Sequence, residues 1–149
     1  MDSNWTCKVS DLGLSRFTSG SASNLSTLGK LRGTYAYSAP EVYFGDPFTT
    51  KADCFSVGII FWELAYRSLL GHYAMPYSEY EELVFDFQII IQVAKNRRRP
   101  TIPAACPPDY RDLITACWAQ AAADRPDISD VLARLEDMAA KHKLTPKST

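Results

Sequence analysis

The stretch from Thr50 to Leu70 is apolar on nearly every side around Ile59–Leu64. A helix that is apolar all round has no face to offer water, so it belongs at the centre of a domain. The apolar run within it, Cys54 to Tyr66, is too short for a bilayer and contains Glu63, which excludes a membrane span in this chain. The fold is therefore expected to be mainly helical and built around this one segment. A chain of 149 residues supplies one domain or a large part of one. A compact domain of that size buries roughly 70% of its unfolded surface, and a 46% apolar composition can fill such a core.

Three more helices are predicted downstream. Between Ser78 and Lys95, Tyr80, Leu83, Val84, Phe87, Ile90, Ile91 and Ala94 recur at the three-and-four spacing of one face. This helix reads as mostly core, with an exposed face able to dock partners. Arg97-Arg98-Arg99-Pro100 closes it, since cations suit a helix C-terminus and proline stops the next turn. The three arginines read as a helix end rather than a nucleic-acid patch. A helix over Pro108–Gln120 turns Tyr110, Leu113, Ile114, Cys117 and Trp118 inward. The last runs from Ile128 to His142, with Asp127 as N-cap, Asp130 in the first turn, and an apolar stripe of Ile128, Val131, Leu132, Leu135 and Met138.

The first part of the chain differs in character. Trp5-Thr6-Cys7-Lys8-Val9 has the composition of a short strand, which Asp11 and Gly13 break. Residues Thr18 to Thr27 are rich in Ser, Thr, Gly and Asn without period and read as a flexible loop. The tail, 143–149, is polar and expected to fray.

Charge and cysteine usage exclude several functions. A net charge of -1 argues against a nucleic-acid binder. Cys7, Cys54, Cys106 and Cys117 form no C-x-x-C pair, and His72 and His142 lie near none of them, which argues against zinc. Four reduced thiols and no signal peptide in residues 1–15 point to a reducing, cytoplasmic setting.

A series of short motifs carries the chemistry. Lys8-Val9-Ser10-Asp11-Leu12-Gly13 comes first, then Gly33-Thr34-Tyr35-Ala36-Tyr37-Ser38-Ala39-Pro40-Glu41. Asp53-Cys54-Phe55-Ser56-Val57-Gly58 and Phe61-Trp62-Glu63-Leu64 follow, and Cys117-Trp118 and Asp124-Arg125-Pro126 close the series. Each is weak alone; a lone Asp-x-Gly is usually a turn. In this order and spacing, over residues 5–140, they resemble the C-terminal lobe of eukaryotic protein kinases.

The resemblance implies roles. Transfer of a γ-phosphoryl group needs divalent metal to neutralise the phosphates, and protein kinases are themselves the standard case of this chemistry. Asp11 matches the aspartate that holds this Mg²⁺, a hard ion that prefers oxygen ligands. Gly13 gives the backbone freedom to place that carboxylate, and Leu12 stands where phenylalanine is usual. Thr34 matches the threonine that contacts the catalytic aspartate in Ser/Thr kinases. Together with Trp118 and the short spacing to Arg125-Pro126, it implies a tyrosine-kinase-like Ser/Thr enzyme using ATP and Mg²⁺ on protein substrates.

Residues 11–41 resemble an activation segment, and 42–142 the helical subdomain. Lys30 occupies the usual position of the main phosphothreonine, so a phosphate switch would have to use Ser26 or Thr27, with Arg16 as basic partner. Glu41 and Arg125 match a structural ion pair, in which the arginine fork holds the carboxylate bidentately. Asp53 matches a structural brace for the catalytic loop.

The Gly-rich phosphate loop, the strand lysine with its helix glutamate, and the His-Arg-Asp catalytic loop of this family are not among the 149 residues. The chain is thus expected to be a C-lobe fragment with a short N-terminal β element and the N-lobe absent, inactive and poorly stable alone. The alternatives are a pseudokinase-like interaction module and the regulatory kinase-homology region of a receptor or cyclase. An upstream His-Arg-Asp followed by asparagine would favour the active enzyme.

Overall fold

The central helix runs over Thr50–Leu70 (α2) in the computed structural model, which describes residues 35–44 and 49–142. The expected strand, the 18–27 loop and the polar tail lie outside the described residues. Around α2 stand a 3-10 turn at Tyr35–Tyr37, α1 (Pro40–Phe44), α3 (Asp86–Ala94), α4 (Pro108–Cys117), a 3-10 turn at Ala122–Asp124, and α5 (Ile128–Lys141). The described part is mainly α, as expected.

Both ends of α2 are closed by local chemistry. Thr49 Oγ1 accepts from the Lys51 N–H at 3.3 Å, using one of the orphan donors of the first turn. At the other end Gly71 takes φ 77° and donates its N–H to Arg67 O at 3.0 Å, a left-handed cap that glycine adopts without steric cost. Cys54, Phe55, Gly58, Ile59, Trp62 and Ala65 form the buried face. The Trp62 indole donates to Thr101 O at 2.8 Å, so its one polar atom is satisfied inside the core. The expectation of burial on nearly every side is too broad, because Ile60 and Leu64 are exposed. Partners among the described elements, α4 and the two 3-10 turns, do not cover them.

The main core joins Phe55, Ile59 and Trp62 of α2 to Tyr77, Val93, Ile114 and Trp118, with Ala36 and Ala39 from the first turn and its exit. A second cluster, Cys54, Leu113, Cys117 and Val131, glues α2, α4 and α5 together. Cys54, Cys106 and Cys117 are free, buried thiols, and burial pushes all three up from the ordinary thiol range. Thiols held protonated in this way act as small apolar groups.

Two helix boundaries depart from expectation by more than one residue. Residues 76–83 form successive turns, with N–H groups of Ser78, Tyr80 and Leu83 each reaching back three residues, and α3 begins only at Asp86. Tyr77 sits at φ 68°, which no α-helix accommodates. The side chains that would have lined a longer helix have tertiary work instead: Glu79 accepts the Thr101 N–H at 2.6 Å and Tyr80 donates to Arg99 O at 2.8 Å. The region is also less buried than its period suggests. Val93 and Ala94 are core, whereas Val84, Phe85, Phe87 and Ile91 are exposed. α4 stops at Cys117 because the carbonyls of Ala119 and Gln120 turn toward Arg125. In α5, Val131 is buried, with Leu135 and Met138 packed beside it, but Ile128 and Leu132 face out.

The α2–α4 contact is close at Gly58. A Cβ placed there would sit 2.9 Å from Cys117 Cβ and 3.2 Å from the Trp118 backbone nitrogen. Backbone cannot swing aside as a long side chain can. Gly58→Ala is expected to lower stability by about 1–3 kcal/mol, the usual range for overpacking, read as a reduced urea midpoint at unchanged slope.

Candidate functional site

Arg125 lies between the Ala122–Asp124 turn and α5 and is 2% exposed. Pro126 follows it, and Lys51 donates to its carbonyl at 2.7 Å while pairing with Asp127 at 2.7 Å. All five guanidinium donor positions are used. Nη1 and Nη2 meet the two Glu41 oxygens at 2.7 and 2.8 Å. Nε donates to Ala119 O at 2.8 Å, Nη1 also to Lys51 O at 2.9 Å, and Nη2 also to Gln120 O at 3.2 Å. This is the fork-on-fork geometry that separates arginine from lysine. It ties the first turn of α1 to the start of α2 and to the exit of α4.

Phe55 is the floor beneath the pair. The Arg125 guanidinium carbon stands 5.1 Å from the ring centroid and that of Arg99 4.8 Å. Arg99 donates to Trp118 O (2.9 Å), Arg98 O (2.8 Å), Val93 O (3.4 Å) and Gln120 Oε1 (2.9 Å). Burial lowers its affinity for its proton, and ring face and neutral oxygens compensate the charge. Arg98 stacks over Tyr80 and pairs with Glu82. These arginines lie beyond the end of α3 and act as tertiary clamps.

A second polar knot joins the segment before α1 to α2. Glu63 Oε1 accepts the hydroxyls of Tyr37 and Tyr73, both at 2.9 Å. Ser56 Oγ donates to Tyr37 O at 2.9 Å, and Tyr43 donates to Tyr35 O at 2.9 Å. Burial, then the bond to Glu63, raises the Tyr37 hydroxyl above its ordinary range; burial pushes Tyr43 up to about 12. Both remain donors at neutral pH.

The structure thus brings Glu41 and Arg125 together. Asp53 is exposed in the first turn of α2, and nothing among the described residues bonds its carboxylate. Asp11, Gly13, Ser26, Thr27 and Thr34 lie outside the described residues. Among the described residues no group of His, Cys, Asp and Glu could hold a metal ion, and no helix is long and apolar enough to cross a membrane. His72 sits in a loop, within 3.1 Å of Leu70 O and edge-on to Tyr66. Sequence reasoning missed Glu63, Tyr73 and Arg99 as polar anchors. The signal for Glu63 was present, since a lone carboxylate in an apolar helix needs a partner.

Comparison with known proteins decides the family. The family model described as protein tyrosine and serine/threonine kinase matches residues 1–135. The chain belongs to the protein kinase family. It is 53% identical over 131 residues to stress-activated protein kinase alpha of Dictyostelium discoideum, covering 88% of this chain and 20% of that protein. It is 54% identical over 123 residues to a probable serine/threonine-protein kinase of the same organism, covering 83% and 12%. To the ankyrin repeat-containing protein kinase A of Dictyostelium it is 40% identical over 130 residues, covering 86% and 9%. The chain spans a fifth or less of the length of these relatives.

Within this kinase-family chain the pair of Glu41 and Arg125 is costly to break from one side. Their side chains are only 12% and 0% exposed. Glu41→Gln or Arg125→Met alone is expected to cost about 3–5 kcal/mol by stranding a buried group. The double variant should lose clearly less than the sum, in a denaturation cycle on all four proteins.

Proposed function

We propose that the protein carrying this chain transfers the γ-phosphate of ATP to Ser or Thr hydroxyls of protein substrates. The observation that carries this reading is the kinase-family match across residues 1–135, a span holding the motifs from Asp11 to Arg125 in family order. The matched relatives are named serine/threonine kinases, and Thr34 supports the same acceptor class. Trp118 and its short spacing to Arg125-Pro126 support the tyrosine-kinase-like group. Residues 11–41 serve as activation segment and 42–142 as helical subdomain, with 143–149 a polar tail. A cytoplasmic location fits the ATP requirement and the reduced thiols.

The residues have distinct tasks. Asp11 would hold Mg²⁺, and the carboxylate is the right donor for that hard ion. The metal, when bound, neutralises charge on the transferring phosphate. Gly13 lets the backbone present Asp11, and Thr34 orients the catalytic aspartate toward the acceptor hydroxyl. Asp53 braces the catalytic loop. Glu41 and Arg125 hold the end of the substrate-facing segment on the helical core and take no part in the chemistry. Ser26 or Thr27, phosphorylated, would order the loop through Arg16.

The intact protein with MgATP and a general protein substrate is expected to yield phosphoserine and phosphothreonine. Asp11→Asn should lower kcat about 100-fold or more, as for loss of a key electrostatic group, with an unchanged thermal melt. Absence of transfer by the wild type, or full activity in Asp11→Asn, would contradict the reading.

A further inference from the structure

One edge of α3 shows water an apolar surface. Val84 is 73% exposed, Phe85 and Phe87 are 58% exposed, and Ile91 is 45% exposed. Phe87 and Ile91 are neighbours on one helix face at a spacing of four. Val84 and Phe85 lead into that face, and the rings of Phe85 and Phe87 stack, with centroids 5.7 Å apart and planes 11° from parallel. Scattered exposed apolar side chains are ordinary, but a contiguous group built on stacked aromatic rings marks an interaction surface. The inner face of the helix is already committed, because it packs on the Tyr35–Tyr37 turn and α1 and sends Val93 into the core.

Charge at the two ends of the patch selects its occupant. Glu81 stands ahead of it, and Lys95 and Arg97 stand beyond it. All three are exposed, and their side chains have no hydrogen bond or ion pair among the described residues. Glu82 and Arg98 pair with each other and leave this pattern unchanged. Lys95 extends the Phe87–Ile91 row by four more positions, so the chain reads acid, apolar, base along the patch. Such a strip complements itself when turned end for end. A two-fold axis between Phe87 and Ile91 sets Glu81 of each copy against Lys95 of the other, which is what an isologous contact requires. The two α3 helices then run antiparallel, with opposite dipole ends adjacent. An anionic membrane would instead repel Glu81.

We propose that this edge of α3 is a self-association surface, on which two copies of the protein pair about a two-fold axis through Val84, Phe85, Phe87 and Ile91, with Glu81 of each facing Lys95 of the other. Standard interfaces bury about 800 Å² per partner. A patch of four apolar side chains with a charged rim is smaller, so the expected dimer is weak, in the micromolar range. The proposal stands apart from the phosphotransfer reading.

Sedimentation of the intact protein, from nanomolar to high micromolar concentration, tests it. The wild type is expected to pass from monomer to dimer, and Phe87→Glu to stay monomeric with an unchanged thermal melt. Glu81→Lys and Lys95→Glu should each weaken self-association about tenfold, because like charges then meet at both ends of the contact. An equimolar mixture of these two variants should dimerise as tightly as the wild type, since opposite charges again meet at both ends. Both exchanges are at exposed positions, so the mixture decides the matter even if Phe87→Glu fails to fold. A wild type that stays monomeric, a dimer indifferent to Phe87→Glu, or a mixture no tighter than its components would overturn the proposal. So would a monomer that binds phosphatidylserine vesicles through Lys95, which would give the patch to a membrane.

Discussion

The structure depends on one buried cation. Arg125 has no water to solvate it, so its charge must be met from within. Both oxygens of Glu41 and three backbone carbonyls meet it. Those carbonyls come from Lys51, Ala119 and Gln120, at the beginning of α2 and the exit of α4. A guanidinium presents its donors in a rigid fork, so five chain positions are fixed relative to one another by a single side chain. The pair adds little net stability over an apolar substitute, because desolvation offsets most of its attraction. Its contribution is placement.

What is placed is the short stretch from Tyr35 to Phe44. α1 has five residues, too few to stand as a helix on its own. Glu41 fastens it to Arg125 at one end, while Tyr37 and Ser56 fasten its approach to α2 at the other. Beneath, Phe55 carries the faces of Arg99 and Arg125, so the clamp and the hydrophobic core share one ring. In the proposed function this stretch joins the activation segment to the helical subdomain, and a rigid mount is what such a junction requires.

The sequence disclosed the elements whose causes are local. The apolar run placed α2 at Thr50–Leu70, Asp127 and Asp130 start α5 with a bond from the Asp127 N–H to Asp130 at 3.3 Å, and α4 opens at Pro108. Hydrophobic period misled where tertiary bonds compete. The three-and-four pattern of 78–95 is real, but Glu79 and Tyr80 are drawn to residues 99–101, and only nine residues become helix. Period also cannot say how many partners a helix will have, which is why Ile60, Leu64, Ile128 and Leu132 are exposed. The pairing of Glu41 with Arg125, 84 positions apart, was legible only through family resemblance. Glu63 alone in an apolar helix signalled that a partner was needed, but Tyr37 and Tyr73 were not legible as those partners, because tyrosine hydroxyls carry no periodic signal.

The central claim is that Arg125 fixes α1 and its neighbours in place. Hydrogen exchange on the intact protein, comparing wild type with Arg125→Met under conditions where both are folded, tests it directly. Amides of Val42, Lys51 and Ala119 should lose protection by at least about tenfold, while those of Leu135 and Met138 in α5 keep theirs, because local opening is governed by local contacts. Unchanged protection at Val42 and Lys51 in the variant would contradict the account.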